Sequence, residues 1–185
     1  MPNDRAAHQI GKAARDGRLL RVTRRKGWDQ LDGSIVGHGP KWLLMAVEVD
    51  AGFDGHTLIR KADIRRIERG RNPQFIERAL AAEGHWPLPG MDGVDLATTQ
   101  AIFASLAQIA PLVSVHYERD HPDECLIGTP HHFRRRKFCL RNVTPAAEWD
   151  TNDSVFRYRT VSRIDVGGAY QRRLADIAGP PPGIS

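Results

Sequence analysis

Six side chains in the second half of the chain belong to the metal-ligating types: His116, His121, Cys125, His131, His132 and Cys139. Zinc sites take tight pairs, Cys-x2–4-Cys or His-x3–5-His, in two sets. The run His116-x4-His121-x3-Cys125 is loosely spaced. Cys125 and Cys139 both fall in predicted strands, where a free cysteine behaves as a small hydrophobe. No metal site is expected, and no cofactor. A cysteine nucleophile would need an oriented base, and the sequence supplies none. The acidic groups Asp120-Asp123-Glu124 and Glu148-Asp150-Asp153 read as turns, where aspartate bonds its own backbone. Neither a G-x4-GK[ST] loop nor a G-x-G-x-x-G turn is present. The chain is expected not to be an enzyme.

The remaining chemistry is cationic. Residues 1–26 hold eight Lys/Arg against Asp4 and Asp16, a balance of +6, whereas the other 159 residues sum to −1. A second cluster is Arg134-Arg135-Arg136-Lys137. Such patches bind phosphates, and such runs also serve as solvated faces or turns. Trp28 stands beside Arg24, Arg25 and Lys26, which would place a ring for stacking next to three cations. Trp149 is a second candidate aromatic surface, and Trp42 in Trp42-Leu43-Leu44-Met45 reads as core.

The elements that must position these groups occur twice. Leu58 to Glu68 aligns without a gap on Val155 to Asp165, matching Arg60 with Arg157, Arg66 with Arg163 and Ile67 with Ile164. Internal similarity of this kind has to be found before a fold is assigned. In the first half Asn3 or Asp4 caps a predicted helix through about Asp16, and Arg18 to Arg25 forms a strand. In the second half Asp95 caps a helix that Pro111 stops, and Leu112 to Tyr117 is the matching strand. Gly33 to Gly37 lies opposite Glu124 to Gly128, and Trp42 to Val49 opposite Phe138 to Thr144. Closing helices are predicted over Pro73 to Glu83 and Ala169 to Ala178.

This divides the chain into a domain over 1–86, a linker over 87–94, a second domain over 95–179 and a frayed tail over 180–185. The linker is rich in proline and glycine, and Trp86 and Leu88 are expected to pack onto a barrel. A hydrophobic content of 41% suits small barrels better than a thick α/β sheet. No apolar run approaches the roughly 18 residues of a membrane span, and the amino-terminus reads as no signal peptide. A cytoplasmic setting is expected.

Two motifs resemble the Sm-like family of Sm and LSm proteins and bacterial Hfq. Gly33-Ser34-Ile35-Val36-Gly37 is similar to its G-x-hydrophobic-x-G signature, of which Gly128 alone remains in the second half, since Glu124 stands opposite Gly33. Ile59-Arg60-Lys61-Ala62-Asp63-Ile64-Arg65-Arg66-Ile67 and Phe156-Arg157-Tyr158-Arg159-Thr160-Val161-Ser162-Arg163-Ile164 both resemble I-R-G-x-x-V-x-x-I. The resemblance implies an α+β, mainly β fold: tandem Sm-like/SH3-like small β-barrels, each with a preceding and a closing helix. It also implies RNA binding. The chain departs from the family where His38 to Leu44 holds neither aspartate nor asparagine, and where Lys61 and Tyr158 replace the signature glycine.

The expected function is non-catalytic binding of RNA or single-stranded nucleic acid through a basic face made of Arg24, Arg25, Lys26, Arg60, Lys61, Arg157 and Tyr158. Arg60 and Arg157 would stack on a base or contact phosphate, or else pair with a nearby carboxylate. The alternative is a protein-interaction or regulatory module that has lost the nucleic-acid site. A monomer or small oligomer is expected, with no membrane partner.

Overall fold

Long apolar runs decide which strands are covered on both faces, and Trp42 to Val47 is the longest in a strand of this chain. In the computed structural model, which describes residues 10, 11, 14, 16–25 and 27–183, all six are buried. Leu43, Met45 and Val47 point into one core with Val22, Leu31, Ile35 and Ile59. Ala46 points to the opposite face, into a core with Leu19, Leu80 and Leu88. A strand buried on both faces reads as continuous apolar sequence rather than as alternation.

The chain forms two units, Met1–Asp92 and Gly93–Ser185. The first contains β1 (Leu19–Thr23), β2 (Gln30–His38), β3 (Trp42–Val49), β4 (Gly52–Arg60), a 3-10 turn (Lys61–Asp63), β5 (Arg66–Arg69) and α1 (Pro73–Ala82). The second contains α2 (Thr99–Ile109), β6 (Val113–His116), β7 (Cys125–His131), β8 (Lys137–Val143), β9 (Trp149–Arg157), β10 (Arg163–Val166) and α3 (Ala169–Ala178). Antiparallel ladders run β5-β1-β2-β3-β4 in the first unit and β10-β6-β7-β8-β9 in the second.

This corrects the expectation of two closed small barrels, each with its own pair of helices. The strands form open antiparallel sheet, with three complete helices among the described residues. No ladder joins β4 to β5 or β9 to β10 among the described residues. The short return strands β5 and β10 pair over all four of their residues with β1 and β6. Helices cover apolar sheet faces instead, which buries them without closure. Leu80 of α1 seals the second core of the first unit, and Leu174 of α3 packs on Leu112 and Val143. Of the helix expected over residues 3–16, Ile10, Gly11, Ala14 and Asp16 are helical. Ile10 is buried in the first core with Ala14 against it, and the rest of that helix lies outside the described residues.

Two local expectations also change. Asp95 caps no helix: its carboxylate accepts from the Ala97 N–H (2.8 Å) in a turn, while Thr98 Oγ1 accepts from Ala101 N–H (3.0 Å) and starts α2. Gly128 occupies the position of Gly33, not of Gly37. Gly33 lies opposite Leu20 and Val47, and Gly128 opposite Val113 and Asn142. A Cβ on either would meet a carbonyl oxygen at 2.0 Å, Ala46 in one unit and Arg141 in the other. Both places therefore require glycine.

The segment after α1 is tied down. Leu88 is buried with Trp86 against it, and the His56 ring N–H donates to the Pro89 carbonyl (2.9 Å). Burial pushes the His56 imidazole below its ordinary value, against the opposing pull of the Pro89 and Gly90 carbonyls. Among the described residues, no helix is long and apolar enough to cross a membrane.

Candidate nucleic-acid interface

Each unit has a corner where the β2–β3 or β7–β8 hairpin meets the end of β4 or β9. Three backbone bonds build it alike in both. Gly39 N–H donates to the Trp42 carbonyl (2.9 Å), Lys61 N–H to Lys41 (2.9 Å) and Arg65 N–H to Thr23 (2.8 Å). In the second unit Arg134 N–H donates to Lys137 (2.8 Å), Tyr158 N–H to Arg136 (3.1 Å) and Ser162 N–H to His116 (2.9 Å). Arg60 lies opposite Trp42, and Arg157 opposite Lys137. The two signature arginines thus sit at one and the same ladder position.

In the first unit the cations are engaged within the protein. The Arg60 guanidinium sits 4.6 Å from the centre of the Trp42 ring, which is completely buried. Arg24 is 1% exposed, bonds Asp29 at 2.8 Å and lies 4.8 Å from the Trp28 ring centre. Arg25 pairs at 2.7 Å with Asp63, whose side chain is fully buried in the 3-10 turn. Its guanidinium is also 5.8 Å from Trp28. Lys61 Nζ donates to His38 Nδ1 at 3.5 Å, and burial pushes the ammonium below its ordinary value. The structure therefore brings Arg24, Arg25, Arg60 and Lys61 toward one end of the unit and gives each a partner within the protein, with Arg24 buried and the other three part-exposed. Lys26 lies outside the described residues.

The second unit differs at the same corner. Tyr158 is core, stacked on Phe138 (5.5 Å, 18°) and tilted on Phe103 (6.3 Å), and burial pushes its phenol up. It also lines the cleft formed by the neighbouring arginines. Arg157 is exposed and lines a cleft of about 580 Å³ with Arg135, Arg136 and Arg159. All four arginines are exposed, and none pairs with a carboxylate among the described residues. Thr160 stands where the first unit has the buried Asp63, and Glu118 stands where it has Arg25. Sequence reasoning noted the run Arg134 to Lys137 but did not join it to Arg157, and passed over Arg159. The signal was there as Arg157-x-Arg159 at the end of a strand.

The other ionisable groups have structural partners. His116 lies 2.8 Å from Asp165, which also accepts from Arg163 at 2.6 Å. Burial alone would raise the Asp165 carboxyl, but Arg163 and His116 outweigh it and hold it well below the usual carboxylate range. Asp153 bonds Arg141 at 2.5 Å and lies 3.0 Å from His131. The Arg141 bond foremost pulls its carboxyl down. Cys125 is exposed on β7 opposite His116, and partial desolvation, with the Asp165 charge nearby, pushes the thiol up, which disfavours the thiolate a nucleophile needs. Among the described residues no group of three His, Cys, Asp or Glu could hold a metal ion. Trp149 is turned to structure, its indole N–H donating to the Ala178 carbonyl of α3 (3.1 Å). With a convergent cationic cleft as its most distinctive feature, the chain matches no family model, no curated protein and no solved structure.

Proposed function

We propose that the second unit binds RNA or another single-stranded nucleic acid without catalysis, with the strand's phosphates in the cleft of Arg135, Arg136, Arg157 and Arg159. The observation that supports this is a set of four exposed guanidinium groups around one cavity with no carboxylate among them. Like charges held together repel, and an anionic partner relieves that repulsion. Arginine suits the task, because its planar fork takes two phosphate oxygens at once. Relatedness to Sm-like proteins is part of the same proposal and rests on the motifs around Gly33, Arg60 and Arg157 alone.

A second reading, docking of a protein, is favoured by Tyr170 and Ile177, two turns apart on α3 and exposed at 56% and 75%. The two readings separate in one titration of labelled single-stranded RNA followed by fluorescence anisotropy over a salt series. Micromolar binding is expected, weakening with salt. Replacing all four arginines by alanine is expected to lower affinity about 100-fold and to flatten the salt slope by roughly 0.7 for each phosphate no longer neutralised. Tyr170→Ala/Ile177→Ala is expected to change neither. Absence of binding at low salt by folded protein would sink the nucleic-acid reading.

A further inference from the structure

Next to the arginine cleft lies a larger cavity of the same unit, about 740 Å³, and the two share Arg157 and Arg159. Its far side is aromatic and fixed. The half-buried Tyr117 ring meets Phe156 edge-on at 5.3 Å and the exposed His121 at 5.0 Å. Its hydroxyl donates to Glu124 at 3.2 Å, and the same carboxylate oxygen lies 3.4 Å from His121 Nδ1. The backbone on both sides of Tyr117 is held by one buried residue. Ser162 Oγ accepts from the Glu118 N–H (3.2 Å), lies 3.2 Å from the His116 carbonyl and donates to the Glu118 carboxylate (2.5 Å). Ser162 is fully buried, and it follows the Arg157–Thr160 segment by two residues. One buried serine therefore ties the backbone that carries Tyr117 to the chain that follows Arg157 and Arg159, which lowers the ordering cost of the ring's side of the cavity.

We infer that this cavity takes one unpaired nucleobase of the strand whose phosphates lie in the arginine cleft. The inference rests on the nucleic-acid reading and specifies its ligand. The volume falls in the range of roughly 300–1,000 Å³ typical of small-ligand sites. Its walls supply what a base needs, a phenol or an imidazole to stack against and guanidinium groups beside it. Asp120 at the same cavity adds an acceptor for a base edge. A base paired in a duplex cannot turn into such a cavity without leaving its helix. The ligand is thus a single strand, anchored by a base on one side of Arg157 and by phosphates on the other.

The test uses the full chain and three labelled probes of equal strand length: single-stranded RNA, the same strand with abasic positions, and a duplex. The normal strand is expected to bind about tenfold tighter than the abasic one, with the duplex gaining nothing over the abasic strand. Tyr117→Ala/His121→Ala is expected to bring the normal strand down to the abasic affinity while leaving the salt slope unchanged. Equal, salt-dependent affinity for normal and abasic strands would overturn the base site and leave the arginine cleft standing. Failure of every probe to bind, or saturation by an acidic aromatic peptide alone, would overturn both. The abasic comparison needs no substitution, so it decides the matter even if the Tyr117 variant fails to fold.

Discussion

One corner, built twice with the same backbone bonds, engages Arg24, Arg25 and Arg60 within the protein in the first unit and leaves Arg135, Arg136, Arg157 and Arg159 exposed in the second. Arg60 rests on the buried ring of Trp42, and Asp63 balances Arg25 beside it. Arg157 instead faces Lys137, and Thr160 takes the place of Asp63. The contrast teaches that a matching motif fixes where an arginine emerges, not what it does there. Its role is set by the residue across the ladder and by the nearest carboxylate.

The comparison can be broken most severely at Arg24. Truncating a fully buried side chain leaves a cavity and is expected to destabilise the first unit by about 3 kcal/mol, read as a lower denaturation midpoint for Arg24→Ala. RNA affinity of the folded fraction should not move. A contribution of Arg24 to the salt slope would place the binding face in the first unit after all.

Converting the second corner into the first sharpens the contrast further. Lys137→Trp with Thr160→Asp gives Arg157 a ring to lie on and the cleft a carboxylate. RNA affinity is expected to fall about tenfold, with the salt slope flatter by about one phosphate. Unchanged affinity would mean that Arg157 is not part of the site. The complementary change, Arg60→Ala, removes a cation over a buried indole and is expected to cost about 1 kcal/mol of stability with no effect on RNA binding.

The smallest effect separates the units by pH. The His56 imidazole is held below its ordinary value, so the stability it contributes is present above about pH 6.5 and lost as pH falls through its lower folded value. Asp153 and Asp165 are held below the usual carboxylate range, so their contribution is present above about pH 4 and lost only below it. Thermal melts on acidification are expected to lose the first unit before the second, and His56→Gln should remove most of the early loss. Simultaneous loss would contradict the assignment.

Much of the architecture was legible because it is local. The run Trp42 to Val49 marks β3 at both ends, and Pro73 and Ala169 begin their helices where the pattern places them. Thr98 displaced Asp95 as a cap because both are good capping residues and tertiary packing of Phe103 and Leu106 set the helix start. The glycine correspondence slipped by four residues because both Gly33 and Gly37 could be set against Gly128 in sequence, and only the close approach of a carbonyl across the ladder tells them apart. Closure of the sheets depends on long-range pairing, which no local pattern reports. The site suffered from the same limit. That Arg24 is buried follows from Asp29 and Trp28 folding over it, and that Arg159 joins Arg135 follows from a hairpin reaching across to the end of β9.

The single indole of the second unit has an experimental use of its own. Trp28, Trp42 and Trp86 all belong to the first unit, and Trp149 stands alone in the second with its N–H on the last turn of α3. With the other three replaced by phenylalanine where folding permits, emission from Trp149 becomes an optical gauge of whether that helix is docked. The red shift of a released indole would time the opening of one half of the chain independently of the other, with no dye attached.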